Sequence, residues 1–167
     1  YRVQGETMQM VTVAIADTDP GRRARVEQVL QEGPDIKVLT NILPREGRHL
    51  MDQPGEPDAA VNGEDMVERI GRMKPRILFF HLDPSAGADF ALLETLHRQC
   101  PETFVVLLTD KTVKEELIMQ ALASGARGCL SHEAEPFYFL KAVRVIDRGE
   151  IWVTRRMLGK IMDKVLH

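Results

Sequence analysis

The sequence predicts a doubly wound α/β fold on a parallel sheet. Two observations carry this. Short apolar runs alternate with helix-period segments along most of the chain, and four of the runs end on a polar residue that such a sheet would bring to one edge. The runs are 11–16 before Asp17, 77–80 before His81, 104–108 before Thr109 and 128–131 before His132. Ligands and chemistry gather beyond the carboxyl ends of the strands in this architecture, so those four polar residues are the first candidates for function.

The elements follow in order. The run 11–16 is the first strand, and Pro20 opens a helix through about Glu32, with Val26, Val29 and Leu30 on its apolar side and Gly33-Pro34 as its stop. A second strand is expected over 36–42. Residues 43–63 are rich in Pro, Gly, Asp and Glu without period, and read as a surface insertion. Met66, Val67 and Ile70 then mark a helix over 64–73, which Lys74-Pro75 breaks before the third strand at 77–80. Phe90, Leu92, Leu93 and Leu96 give a helix over 89–100, closed by Pro101 before the fourth strand at 104–108. Another spans 113–124 and ends at Gly125, ahead of the fifth strand. The helix over 136–147 is expected to bury Phe137, Leu140, Val143 and Ile146. Alternation of this kind implies right-handed crossovers with helices on both faces of the sheet.

Composition narrows the function classes. The 167 residues suit one well-buried domain, 44% hydrophobic and 28% charged, and a formal charge of −3 offers no general attraction for nucleic acid or anionic membrane. The two cysteines, Cys100 and Cys129, read as free thiols rather than a disulfide or a metal site. No apolar run approaches membrane-spanning length and no signal peptide is visible, so a cytoplasmic location is expected.

Several stretches carry a resemblance. Gly125-Ala-Arg-Gly-Cys-Leu-Ser-His132, the segment 142–154 with its Gly149-Glu-Ile-Trp152 motif, Ile15-Ala-Asp-Thr-Asp-Pro20 and Pro75-Arg-Ile-Leu-Phe-Phe-His-Leu-Asp83 together resemble a response-regulator receiver domain of the LuxR/NarL type. The resemblance implies a flavodoxin-like (CheY-like) five-stranded parallel sheet of order 2-1-3-4-5 and a role in transcription control. It divides the chain into an N-terminal extension or expression remnant over 1–9, a receiver-like domain over 10–150, and a C-terminal helix or linker over 151–167.

The departures from that family are informative. A working receiver uses a strand-end aspartate as phosphoryl acceptor, an acidic pair for magnesium, a Thr or Ser and a Lys on the phosphoryl oxygens, and an aromatic switch residue. Such chemistry needs a divalent cation and fixed donors to neutralise an oxyanion-rich transfer centre. Here the resemblance puts His81 at the acceptor position, Asp17 with Thr18 at the acidic pair, His132 at the Lys position and Cys129 at the switch, leaving only Asp17 and Thr109 in place. The expectation is a degenerate, phosphorylation-independent pseudo-receiver that is not an enzyme and carries no metal or other cofactor.

Three alternatives use the same residues. His81, His132 and Asp17 converge on one edge and can be read as a transition-metal or small-ligand sensor, against a plain hydrogen-bonded pocket. Asp83 is an alternative phosphoryl acceptor, against a solvated loop acid. Asp17-Thr18-Asp19 resembles the nucleophile motif of haloacid-dehalogenase-like phosphatases, without the later paired acids that would hold magnesium.

Beyond Trp152, Thr154 can cap a last helix in which Met157, Leu158, Ile161, Met162, Val165 and Leu166 form an apolar stripe. Met157, Leu158, Ile161 and Val165 are the candidate contacts of a homodimer, the alternative being packing on the helix's own domain. DNA is expected to be reached only through a helix-turn-helix domain not present in this chain, and no membrane partner is expected.

Overall fold

Four of the five strand runs are rich in β-branched or aromatic residues, Gly128-Cys-Leu-Ser131 being the exception, and the helices between the strands return the chain to the same sheet edge. The computed structural model describes residues 10–40, 63–83 and 88–166. In order they form β1 (Val11–Ala16), α1 (Pro20–Gln31), β2 (Ile36–Leu39), α2 (Gly63–Met73), β3 (Ile77–His81), α3 (Ala88–Gln99), β4 (Phe104–Thr109), α4 (Glu115–Ala123), β5 (Gly128–Ser131), α5 (Pro136–Asp147) and α6 (Arg155–Leu166). The sheet has the order β2-β1-β3-β4-β5. All four pairings are parallel, with Ala16 opposite Phe80, His81 opposite Leu108 and Thr109 opposite Ser131. This is the flavodoxin-like sheet expected, and the register brings the carboxyl ends of β1, β3, β4 and β5 together.

Alternate strand residues serve two cores. One face sets Val13, Ile15, Phe79, Val106 and Leu108 against Val26, Val29 and Leu30 of α1 and Phe139, Val143 and Ile146 of α5. The other sets Ala14, Leu78, Phe80 and Leu107 against Met66, Val67 and Ile70 of α2, Leu93 and Leu96 of α3, and Ile118 and Met119 of α4. With both faces covered, the strands read as continuous apolar runs rather than alternating ones.

Boundaries and facing differ in places. β2 stops at Leu39 instead of continuing to 42, and residues 41–62, which include almost all of the expected insertion, lie outside the described residues. α4 begins at Glu115, two residues later than expected, because Lys114 is still extended, at φ −73° and ψ 146°. On α5 the expected core residue Phe137 is 61% exposed, and Phe139 is buried in its place, its ring centroid 5.9 Å from that of Phe79. Both phenylalanines fit a helical stripe, and the angle at which α5 crosses the sheet selects one. Gly125 ends α4 at φ 121°, where a Cβ would stand 2.7 Å from that of His97.

α6 divides its apolar stripe. Met157 is 8% exposed and belongs to the core, with Ile161 packed against it, whereas Leu158, Met162, Val165 and Leu166 are 42%, 49%, 73% and 71% exposed. Of the four residues expected at a dimer contact, Met157 is therefore corrected to a core residue of its own domain. Among the described residues no helix is long and apolar enough to cross a membrane.

Candidate functional site

The strand ends gather the candidate side chains at one edge of the sheet, and Asp17 is paired there with Arg22, which is not among the candidates read from the sequence. Pro20 and Asp19 fix the start of α1: the Asp19 side chain accepts from the N–H groups of Gly21 and Arg22 at 2.9 and 3.2 Å. That cap aims Arg22 back at the sheet. Its Nε donates to Asp17 Oδ2 and its Nη2 to Asp17 Oδ1, both at 2.8 Å, a two-pronged charge-assisted contact with a carboxylate whose side chain is fully buried. The Asp19 N–H donates to Asp17 Oδ1 at 2.9 Å, and Arg23 Nη1 donates to the Asp17 carbonyl at 3.0 Å. The hydrogen bonds from its guanidinium to Asp17 push the Arg22 pKa further up.

His81, half-buried at the end of β3, lies beside His132, their ring centroids 6.2 Å apart and tilted by 59°. The Nδ1 of His81 is buried without a hydrogen-bond partner among the described residues. The His132 N–H donates to the Thr109 carbonyl at 3.0 Å, and its own carbonyl accepts from the Arg25 guanidinium. Thr109 is buried, and its hydroxyl lies 3.8 Å from Cys129 Sγ. Burial pushes the Cys129 thiol up in pKa, with a smaller opposing effect from the Thr109 hydroxyl.

The rim is acidic. Hydrogen bonds from the Thr112 hydroxyl and N–H hold the Asp110 carboxyl below its ordinary range, and the Arg22 N–H does the same at Asp19. Burial pushes the Asp89 carboxyl up, and Asp89 Oδ2 accepts from the Asp83 N–H at 3.0 Å.

The expected residues thus do not all meet. Asp17 and the two histidines occupy one edge, but the Asp17 carboxylate is taken up by Arg22. Thr18 and Asp83 are exposed. Among the described residues no group of three His, Cys, Asp or Glu side chains is placed to hold a metal ion. For the phosphatase alternative, Asp17 is bound by a guanidinium and Asp19 caps a helix, so neither is presented as a nucleophile or an acid. A local signal for Arg22 did exist. Cations in a helix's first turn oppose its macrodipole, so the pair Arg22-Arg23 asks for an anion nearby.

No family model matches the chain. It is 26% identical over 140 residues to the nitrate/nitrite response regulator protein NarL of Escherichia coli strain K12, covering 84% of this chain and 56% of that protein. It is 24% identical over 109 residues to the oxygen regulatory protein NreC of Staphylococcus haemolyticus, covering 65% of this chain and 50% of that protein. The chain spans about half the length of the curated relatives it matches. Among solved structures, the isolated REC domain of RcsB from Salmonella enterica serovar Typhimurium in its apo form aligns with a TM-score of 0.69 at 14% identity, covering 92% of this chain and 98% of that one. The described residues therefore have the fold of a response-regulator receiver domain, of the kind found in the NarL/LuxR type.

Proposed function

We propose that this chain is the receiver module of a NarL/LuxR-type transcription regulator, and that it regulates by self-association in the cytoplasm without taking up a phosphoryl group. The observation that carries the reading is the Arg22 guanidinium on both oxygens of Asp17 at 2.8 Å. In a receiver the strand-end acids are neutralised by magnesium. Here the chain's own cation does so, and a hard divalent ion, which wants several oxygen ligands, would have to displace it. His81 at the acceptor position supplies neither a carboxylate nucleophile nor a magnesium ligand. The module is a binding element rather than a catalyst.

Treatment with acetyl phosphate and magnesium is the direct test, read by intact mass. The expected result is no adduct. A hydroxylamine-sensitive adduct that disappears in Asp83→Ala overturns the reading and makes Asp83 the acceptor.

Self-association is assigned to the outer face of α6, where Leu158, Met162, Val165 and Leu166 stand exposed at helical spacing. A surface of this kind is costly to leave in water. A receiver that phosphate does not switch can still regulate through a dimer set by concentration or by a ligand. In analytical ultracentrifugation the chain is expected to dimerise at micromolar concentration and Leu158→Glu/Val165→Glu to be monomeric. A monomeric parent chain, or a double variant that dimerises equally well, removes α6 as the assembly element.

A further inference from the structure

One side of the sheet carries two apolar surface features, and they lie at its opposite ends. That side is walled by α2, α3 and α4, with α2 packed on α3 and α3 on α4. α6 comes after them. Trp152 forms a parallel bridge to Gly128 beside β5, Met157 enters the core cluster of that side, and Lys160 and Arg156 pair with Glu115 in the first turn of α4. The first feature is the exposed stripe of α6. The second is an open groove of about 920 Å³ at the seam of α2 and α3.

Small residues open the groove. Gly71 of α2 and Ala88 and Ala91 of α3 line it, with Val67 and Cys100, both buried, at its base. A Cβ at Gly71 would meet nothing within 4 Å. Close packing of α2 on α3 therefore does not require a glycine, which disfavours a helix interior, and its effect is to leave the seam open to a partner's side chains.

Interface size decides what α6 meets. Specific protein interfaces take about 20–30 residues a side. α6 has 12 residues, and Met157 and Ile161 already face its own domain, so α6 against α6 alone falls short of a stable dimer. Charge points to the same seat. α6 carries four cationic residues and one acid, whereas acids outnumber arginines by three to two on α2 and by two to one on α3. The order α2, α3, α4, α6 supplies the geometry: a second copy turned end for end over this side lays its α6 across the α2–α3 seam, and the two-fold axis repeats the contact at the other end.

We propose that the α2–α3 groove is the seat for α6 of a second copy, the apolar stripe Leu158, Met162 and Val165 entering it as a helix in a groove, reciprocally in a two-fold dimer. This names the partner surface for the self-association through α6 and rests on that reading.

Sedimentation of the full chain and disulfide trapping test it together. Gly71→Leu/Ala91→Leu fills the groove at helix positions that tolerate leucine, and is expected to weaken dimerisation about tenfold or more with an unchanged circular-dichroism melt. Mixing a Leu158→Cys copy with an Ala91→Cys copy and oxidising is expected to give a 158–91 disulfide between copies, which peptide mass mapping distinguishes from any link through Cys100 or Cys129. A monomeric parent chain removes both the self-association reading and its seat. If the parent dimerises and Leu158→Glu/Val165→Glu is monomeric while the filled groove dimerises as tightly as the parent, self-association through α6 stands and the groove is not its seat. A 158–158 disulfide in the Leu158→Cys copy alone, or no 158–91 link in the mixed dimers, overturns the groove in the same way.

Discussion

Arg22 occupies a helix position that disfavours a cation by about 0.3–1 kcal/mol, and what compensates it is a buried carboxylate five residues earlier. The pair is asymmetric: the Asp17 side chain is fully buried, whereas that of Arg22 is 30% exposed. Arg22→Ala therefore leaves an uncompensated buried acid and is expected to cost about 2–3 kcal/mol in urea unfolding, less than for a fully buried pair because the guanidinium is partly wet. Arg22→Ala/Asp17→Asn should recover most of that loss. A single variant as stable as the parent would mean that the contact is not holding the strand end. A second residue-scale contrast tests the facing of α5. Phe139→Ala removes a fully buried ring and is expected to cost about 3–5 kcal/mol. Phe137→Ala, at a largely exposed position, should stay within about 0.5 kcal/mol.

At the scale of elements, depressed carboxyls tie helix starts and loops to the fold. The cause is the Arg22 N–H at Asp19 on α1, the Thr112 hydroxyl at Asp110 after β4, and Lys160 at Glu115 on α4. A carboxyl whose folded-state pKa lies below its unfolded value contributes stability that is present above the unfolded value and lost as pH falls through the folded one. Glu115→Gln is thus expected to lower the melting temperature at neutral pH but not below the folded-state value of Glu115, as circular-dichroism melts across the acid range would show. Asp89 acts with the opposite sign. Burial raises its pKa, so its ionised form opposes folding at neutral pH, and Asp89→Asn, which keeps an acceptor for the Asp83 N–H, should raise the melting temperature there.

For the molecule as a whole, one sheet edge collects the candidate site residues of β1, β3, β4 and β5. Magnesium binding links the two scales. His81→Asp alone is expected to bind the ion poorly, because Thr18 supplies no second carboxylate and Arg22 already holds the first. His81→Asp/Thr18→Asp/Arg22→Ala should bind it measurably more tightly in calorimetry. Equal tight binding by both variants would show that Arg22 does not guard the site.

How much of this was legible follows from how local each cause is. The strands, the helix stops at Gly33-Pro34 and Pro101, the sheet order and the set of polar strand ends came from apolar runs, turn residues and a motif resemblance, all of which act over a few neighbours. Other features needed the fold. Phe137 and Phe139 satisfy the same helical period, and only the packing of α5 on β1 and β3 chose the second. The α6 stripe was visible as a stripe, but which half faces its own core was decided by a tether at Gly128 and Trp152 that joins residues 24 positions apart. The strand-end site shows the division most clearly. The sequence by itself placed Asp17, His81, Thr109 and His132 on one edge, since parallel strands bring their carboxyl ends together. That Asp17 pairs with Arg22 rather than with a histidine was decided by the tertiary structure, because the bond depends on the direction in which the capped first turn of α1 leaves the sheet.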